Sequence, residues 1–151
     1  MASLGYLALV WRFDWLCDDA YITFRYARNL AEGAGLTYNA PERVEGYSNF
    51  LWTLWLALFE AAGIDVTLAA RASSVAAGLA VLALLARLCR TRLGLSPGAT
   101  LAALAFPAAL PPFAVWSTSG LETMPFACAL LVACERLIGD PARPRAVQAG
   151  L

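Results

Sequence analysis

The chain has 151 residues, 60% of them hydrophobic and 15% charged, with a mean hydropathy of +0.62, well above the roughly 45–50% apolar content of ordinary soluble domains. Such a chain has too little polar surface for water and is expected in a membrane. Its formal net charge is zero, and it has no basic patch interleaved with aromatic residues, which sets nucleic acid aside as a partner.

The sequence has no His and no Lys, so imidazole and Schiff-base chemistry are excluded within these residues, and carboxylates must carry any proton transfer. Cys17, Cys89, Cys128 and Cys134 form no CxxC pair, and three of them sit in or beside apolar runs. They read as small buried residues, with neither a zinc site nor a disulfide framework.

From the start, Ala2 to Leu16 is apolar but lacks a basic leading region and a small-residue cleavage site. It reads as a shortened transmembrane segment, with Arg12 reaching the interface by snorkelling. Next, Asp18-Asp19-Ala-Tyr-Ile-Thr-Phe-Arg-Tyr-Ala-Arg-Asn-Leu-Ala-Glu-Gly reads as a helix that starts at an Asp cap and closes at Gly33 or Gly35. Asp18, Arg25, Arg28, Asn29 and Glu32 fall on one face, and Phe24, Ala27 and Leu30 on another, so the helix can rest on a bilayer with its charges upward.

Two readings of Asp18 and Asp19 stay open on the residues alone. One is a helix cap with a favourable charge at the helix N-terminus. The other is chemical: adjacent carboxylates at a membrane surface can act as a general base or hold a divalent cation through oxygen ligands. Arg25 and Arg28 can then face a phosphate, or else form intrahelical pairs such as Arg28 with Glu32.

Asn39-Ala-Pro-Glu42 signals a turn, and Gly46 a bend before the next helix. Glu45, Tyr47, Ser48 and Asn49 make a dense polar and aromatic group that suits recognition of a hydroxylated substrate, although Ser48 or Asn49 also suits a cap, Ser48 more so. Asn49 to Ala62 is apolar and Trp-rich but too short to span, contains Glu60 and ends at Gly63. It reads as a surface helix, because Trp52 and Trp55 favour the interface, with a thin tilted span as the alternative.

Three spans are expected next, over Leu68 to Leu88, Gly98 to Trp116 and Leu121 to Ile138. Ala70, Ser74, Gly78 and Leu82 give the first a small-residue packing stripe. Pro107, Pro111 and Pro112 interrupt the second, predicting a kink and a cavity below Trp116. Arg87, Arg90 and Arg92 follow the first span, and Arg136, Arg143 and Arg145 follow the last, so both clusters belong on the cytoplasmic side. That places 17–67 and the turn Ser117 to Glu122 together on the outer face. Ser119 and Glu122 are the site candidates there, with a helix-dipole role as the plainer reading of Glu122.

Taken together, Asp18-Asp19-Ala-Tyr-Ile-Thr-Phe-Arg-Tyr-Ala-Arg-Asn-Leu, then Asn39, then Glu42-Arg-Val-Glu-Gly-Tyr-Ser-Asn-Phe-Leu-Trp, then Trp116 with Ser119-Gly-Leu-Glu-Thr, resemble bacterial GT-C superfamily glycosyltransferases near the cell-wall arabinofuranosyltransferases. The resemblance covers nearly the whole chain. It implies a polyprenyl-phosphate-linked sugar as donor, a cell-envelope glycan or lipid as acceptor, and an active site on the periplasmic side of the bacterial inner (plasma) membrane. It also implies that the acidic pair at Asp18 and Asp19 includes the catalytic base of an inverting transfer.

The expected fold is all-α: a polytopic transmembrane helical bundle with amphipathic juxtamembrane helices in its first outer loop. It divides into a shortened first helix (1–16), a periplasmic loop with surface helices (17–67), three transmembrane helices (68–138) and a cytoplasmic tail (139–151), part of a larger GT-C transmembrane domain. Expected substrate contacts are Arg25, Arg28, Asn29, Glu45, Tyr47, Ser48, Asn49, Ser119 and Glu122. No cofactor is required by these residues, beyond a divalent cation that Asp18 and Asp19 can hold. The competing class is a noncatalytic membrane scaffold that grips a lipid headgroup between Arg25, Arg28 and the Trp-rich helix. A transporter is disfavoured, since no ionisable residue lies deep in a well-formed span.

Overall fold

The computed structural model describes residues 2–39, 42 and 44–137. Ile138, Arg143, Arg145 and the Pro/Arg-rich tail Asp140 to Arg145 lie outside them. Among the described residues the secondary structure is all-helical: α1 (Ala2–Arg12), α2 (Ala20–Ala31), α3 (Phe50–Ala61), α4 (Val66–Thr91), α5 (Pro97–Ala109), α6 (Pro111–Thr118) and α7 (Thr123–Leu137).

Helix α4 is the axis of the fold. It starts where Asp65 accepts a hydrogen bond from the Leu68 amide at 2.9 Å, an N-cap that satisfies one of the four free donors of a helix start. It runs 26 residues and is long and apolar enough to cross a membrane. The small stripe expected on it is buried throughout: Ala70, Ser74, Gly78 and Leu82 all face neighbouring helices.

Helices α5 and α6 replace the expected span Gly98 to Trp116. Ser96 caps α5 and Pro97 opens it, as the missing proline N–H and fixed φ favour. The pair bends by 58° at Leu110. Pro111 and Pro112 cause the break, since proline holds the preceding residue in an extended conformation, and Leu110 has φ −80° and ψ 119°. Taken as one broken span, the pair brings the number of membrane-crossing candidates to two. Helix α7 covers 15 described residues.

Packing divides into two clusters. The first joins Ala20, Phe24 and Ala27 of α2, Trp52, Leu56 and Ala57 of α3, and Val66, Ala69 and Ala70 of α4. The second is built around Tyr6, Leu82 and Ala108, with Phe113 edge-on to Tyr6. In the second, the Tyr6 hydroxyl donates to Ser117 Oγ at 2.7 Å, and Ser117 Oγ donates to Phe113 O at 2.7 Å. Tyr6 reaches this position only because Gly78 on α4 has no side chain: a Cβ there would lie 2.8 Å from Tyr6 Cζ. At the far end of α4, Arg87 pairs with the buried Glu135 of α7 at 3.0 Å.

Several elements differ from expectation. Helix α1 ends at Arg12, and 13–19 form a connection that folds back against 118–119. Helix α3 is packed between α2 and α4: Trp52 is buried and donates its indole N–H to Gly120 O at 3.0 Å, so a partner inside the protein replaces the interface. Trp55, exposed, donates to Ser73 Oγ. Glu122 lies one residue before α7 rather than in its first turn. The cap position of α3 is Asn49, not Ser48, and it makes no side-chain cap bond.

Candidate active site

Three segments far apart in sequence meet at the end of the fold where α4 begins. The turn 119–121 is their meeting point, because three successive carbonyl oxygens each accept a bond from a different element. Ser119 O accepts from Cys17 N at 2.9 Å, Gly120 O from Trp52 Nε1 at 3.0 Å and Leu121 O from Ser74 Oγ at 3.3 Å. Gly120 has φ +84°, and a Cβ there would lie 2.8 Å from both Ala20 Cβ and Leu16 Cδ1. Only glycine supplies that left-handed backbone and that close approach together.

Asn49 completes the junction. Its Nδ2 donates to Glu122 Oε2 at 2.7 Å and to Thr23 Oγ1 at 3.1 Å, while its Oδ1 accepts from Thr53 Oγ1 at 3.3 Å. The helix carrying the acidic pair, the loop leading into α3 and the start of α7 are thereby tied by one side chain.

Asp18 and Asp19 are both exposed at the start of α2. Asp19 occupies the cap position but has helical φ and ψ and no side-chain cap bond. Asp18 Oδ1 accepts only from the adjacent Asp19 amide at 3.1 Å and from Cys17 Sγ at 3.6 Å. The cap reading of the pair is therefore not realised, and the first turn closes instead through backbone bonds from Ala20, Tyr21 and Ile22. Ligand atoms of Cys17, Asp18 and Asp19 lie within 4.8 Å of one another. The carboxylate oxygens fit a hard divalent cation, whereas the thiol does not.

The remaining candidates divide by what their polar atoms touch. Arg28 pairs with Glu60 of α3 at 3.3 Å, not with Glu32, and Arg25 Nε donates to Tyr38 O at 3.2 Å. Asn29 is buried, and its amide donates to the Thr37 and Tyr38 carbonyls, so it leaves the charged face and fastens the loop after α2. Ser119 is fully buried, its hydroxyl donating to Trp116 O and accepting from Leu121 N. Glu45 and Ser48 are exposed. Tyr47 is half-buried, its ring edge-on to Tyr26 with centroids 4.8 Å apart. Tyr26, absent from the sequence candidates, donates to Val44 O at 2.6 Å and accepts from Gly46 N at 3.0 Å, fixing the loop before α3. The sequence reading also passed over Thr23 and the ion pair of Arg71 with Asp14 at 3.0 Å.

An open groove of about 1190 Å³ starts at this junction. Its lining includes the polar residues Ser48, Asn49 and Glu122, and the apolar Leu68, Ala72, Ala76, Phe126 and Ala129 of α4 and α7. It is not the cavity expected below Trp116, which does not line it.

Two curated relatives match the chain. A terminal beta-(1->2)-arabinofuranosyltransferase of Mycobacterium tuberculosis is 32% identical over 120 residues, which is 75% of this chain and 19% of that protein. The enzyme of the same name from Corynebacterium glutamicum is 45% identical over 42 residues, 28% of this chain and 6% of that protein. The chain is similar to these arabinofuranosyltransferases over a part of their length. It spans about a fifth of the length of the first relative and less of the second. These matches bear out the arabinofuranosyltransferase resemblance read from the motif residues. No family model and no solved structure matches.

Proposed function

We propose that this chain forms the outer-face catalytic part of a GT-C glycosyltransferase, which moves a sugar from a polyprenyl-phosphate donor to a hydroxyl of a cell-envelope acceptor. Arabinofuranosyl transfer is the activity that the relatives' names suggest. The observation that carries the reading is the state of the acidic pair. Asp18 and Asp19 are exposed and do not cap α2, yet the backbone beside them is bonded to the 119–121 turn. Carboxylates left free on a braced backbone suit a positioned general base.

In this mechanism one carboxylate of the pair removes the acceptor hydroxyl proton as that oxygen forms its bond to the anomeric carbon. The bond from that carbon to the lipid phosphate breaks on the opposite face, the phosphate leaves with the electron pair, and the configuration inverts. A single base suffices, since the acceptor is the nucleophile and phosphate leaves without protonation. Glu122, Ser48 and Tyr47 would meet substrate hydroxyls in this reading, as half-buried or exposed polar groups. Any divalent cation held by Asp18 and Asp19 would offset charge on the leaving phosphate.

The polytopic arrangement belongs to the same proposal. Helix α4, the broken pair α5 and α6, and α7 cross the inner membrane, with the Arg87, Arg90 and Arg92 cluster inside and the acidic pair on the periplasmic face. The headgroup-scaffold reading has less support, because Arg25 and Arg28 are engaged with Tyr38 and Glu60. The test is transfer of radiolabelled sugar from polyprenyl phosphate to acceptor: Asp18→Asn with Asp19→Asn abolishes it. Full activity in the double variant would overturn the assignment.

A further inference from the structure

Between Val66 and Ala86 helix α4 carries one charged residue, Arg71. A cation inside a helix apolar enough to span a membrane is costly, and points to a function and a partner. The guanidinium meets the Asp14 carboxylate, with Nη2 at 3.0 Å from Oδ1 and Nη1 donating to Oδ2 at 3.5 Å. Its Nε is enclosed and has no hydrogen-bond partner, so one carboxylate does not satisfy the whole fork. Asp14 stands four residues before Asp18, on the connection whose Trp15 and Cys17 amides are bonded to Thr118 Oγ1 and Ser119 O. Four residues reach at most about 14 Å, so this cation and the acidic pair share one end of the fold. Arg25 and Arg28, the phosphate candidates of the sequence, are engaged with Tyr38 O and Glu60, and Arg12 lies over the Phe13 ring.

The ion pair is easily exchanged. The Arg71 and Asp14 side chains keep 32% and 58% of their surface exposed, and ion pairs open to water contribute little. A carboxylate offers two oxygens and one charge, whereas a phosphate monoester offers three oxygens and close to two charges. We infer that Arg71 receives the leaving phosphate of the donor, and that Asp14 occupies the Arg71 fork until the donor binds. The inference rests on the transferase reading above. A phosphate esterified to both sugar and lipid carries one negative charge, and gains a second as its bond to the anomeric carbon breaks. Arg71 therefore holds the phosphate more strongly in the transition state than before it, which lowers the barrier. Asp14 competes for the same fork, so it weakens lipid-phosphate binding and speeds release of the product.

The test is binding without turnover, by calorimetric titration of the purified protein in a neutral detergent with hexyl phosphate, which stands for the released lipid phosphate. Asp14→Asn is expected to tighten binding about tenfold and Arg71→Gln to weaken it about tenfold, the scale of one charge-assisted hydrogen bond. In the double variant the effect of Asp14→Asn disappears, because no cation is left to release. A pair that serves only the fold predicts the opposite for Asp14→Asn: binding weakened or unchanged, which overturns the inference even if Arg71→Gln fails to fold. Binding to the unaltered protein is expected to strengthen between about pH 5 and pH 8, as the second phosphate proton leaves. Hexyl sulfate, which has no such proton, is expected to bind equally across that range, and a parallel rise for both probes overturns the leaving-group assignment. Equal affinity for inorganic phosphate also overturns it and makes this a site for the free anion. Asp18 and Asp19 do not enter the titration, so a transfer assay on the same preparation tests the acidic pair separately.

Discussion

Asn49 and Glu122, 73 positions apart, are joined by a 2.7 Å hydrogen bond from the Asn49 amide to Glu122 Oε2. The same amide group is bonded to Thr23 and Thr53, so its hydrogen-bonding capacity is used within the protein. Asn49 positions Glu122 and has little left for a substrate. Asn49→Ala leaves a half-buried carboxylate and two buried hydroxyls without this partner, and is expected to cost about 1–3 kcal/mol. Chemical denaturation in mild detergent measures it, and a variant as stable as the parent would show that water replaces the amide.

Substituting Gly120 acts on backbone and packing together. Gly120→Ala forces a side chain into a left-handed backbone with Ala20 and Leu16 at 2.8 Å, at an expected cost of about 1–3 kcal/mol for the backbone alone. Trp52→Phe keeps an aromatic ring but removes the N–H that Gly120 O accepts, for about 1–3 kcal/mol, and adds the cost of the space left by the smaller ring at this buried site. Because both act on one turn, their combined effect falls short of the sum. Strict additivity in a double-mutant cycle would argue against the shared turn.

Gly78 and Tyr6 form a second coupled pair. Gly78→Ala pushes the Tyr6 ring away from α4 and strains its bond to Ser117. Tyr6→Phe removes the hydroxyl nearest the new methyl, so the double variant is expected to recover part of the loss, with a coupling of about 0.5–3 kcal/mol. Thermal unfolding of the four proteins of the cycle decides it.

The acidic pair should separate stability from catalysis. Neither carboxylate caps α2, so Asp18→Asn and Asp19→Asn, tested singly, should leave the unfolding midpoint unchanged. One of the two should lose nearly all transfer activity and the other much less, since a single base acts. Equal, partial losses would point instead to a shared role such as holding a cation.

Topology is best tested with introduced thiols, because Cys17, the native thiol nearest the acidic pair, is buried at 9% exposure. In a cysteine-free background, an impermeant maleimide applied outside is expected to label Tyr21→Cys and to spare Arg90→Cys, both positions being exposed. The reverse pattern would place Asp18 on the cytoplasmic side.

Much of the helical framework was legible in the sequence, for local reasons. The stops at Gly33 and Gly63 and the break before Pro111 each depend on a few adjacent residues. What was not legible depends on residues that meet only after folding. Arg28 had Glu32 one turn away and bonded Glu60 instead, because α3 packs against α2. Asn29 lies on the polar face by periodicity, yet the returning loop brings the Thr37 and Tyr38 carbonyls to it and buries it. Trp52 looked interfacial because its N–H needs a partner, and no local pattern reveals that the partner is Gly120.

The three carbonyls of the 119–121 turn also fix an order of events during synthesis. Their donors, Cys17, Trp52 and Ser74, are all made before the turn is. Until residue 121 has left the ribosome and docked, α2 and α3 can pack on each other and on α4, but the backbone beside Asp18 lacks the bond from Cys17 N to Ser119 O. Because such long-range closures form late, chains ending before Ser119 would carry both carboxylates without that brace. The acidic pair therefore gains its brace from Ser119 only after α1 to α6 have been made.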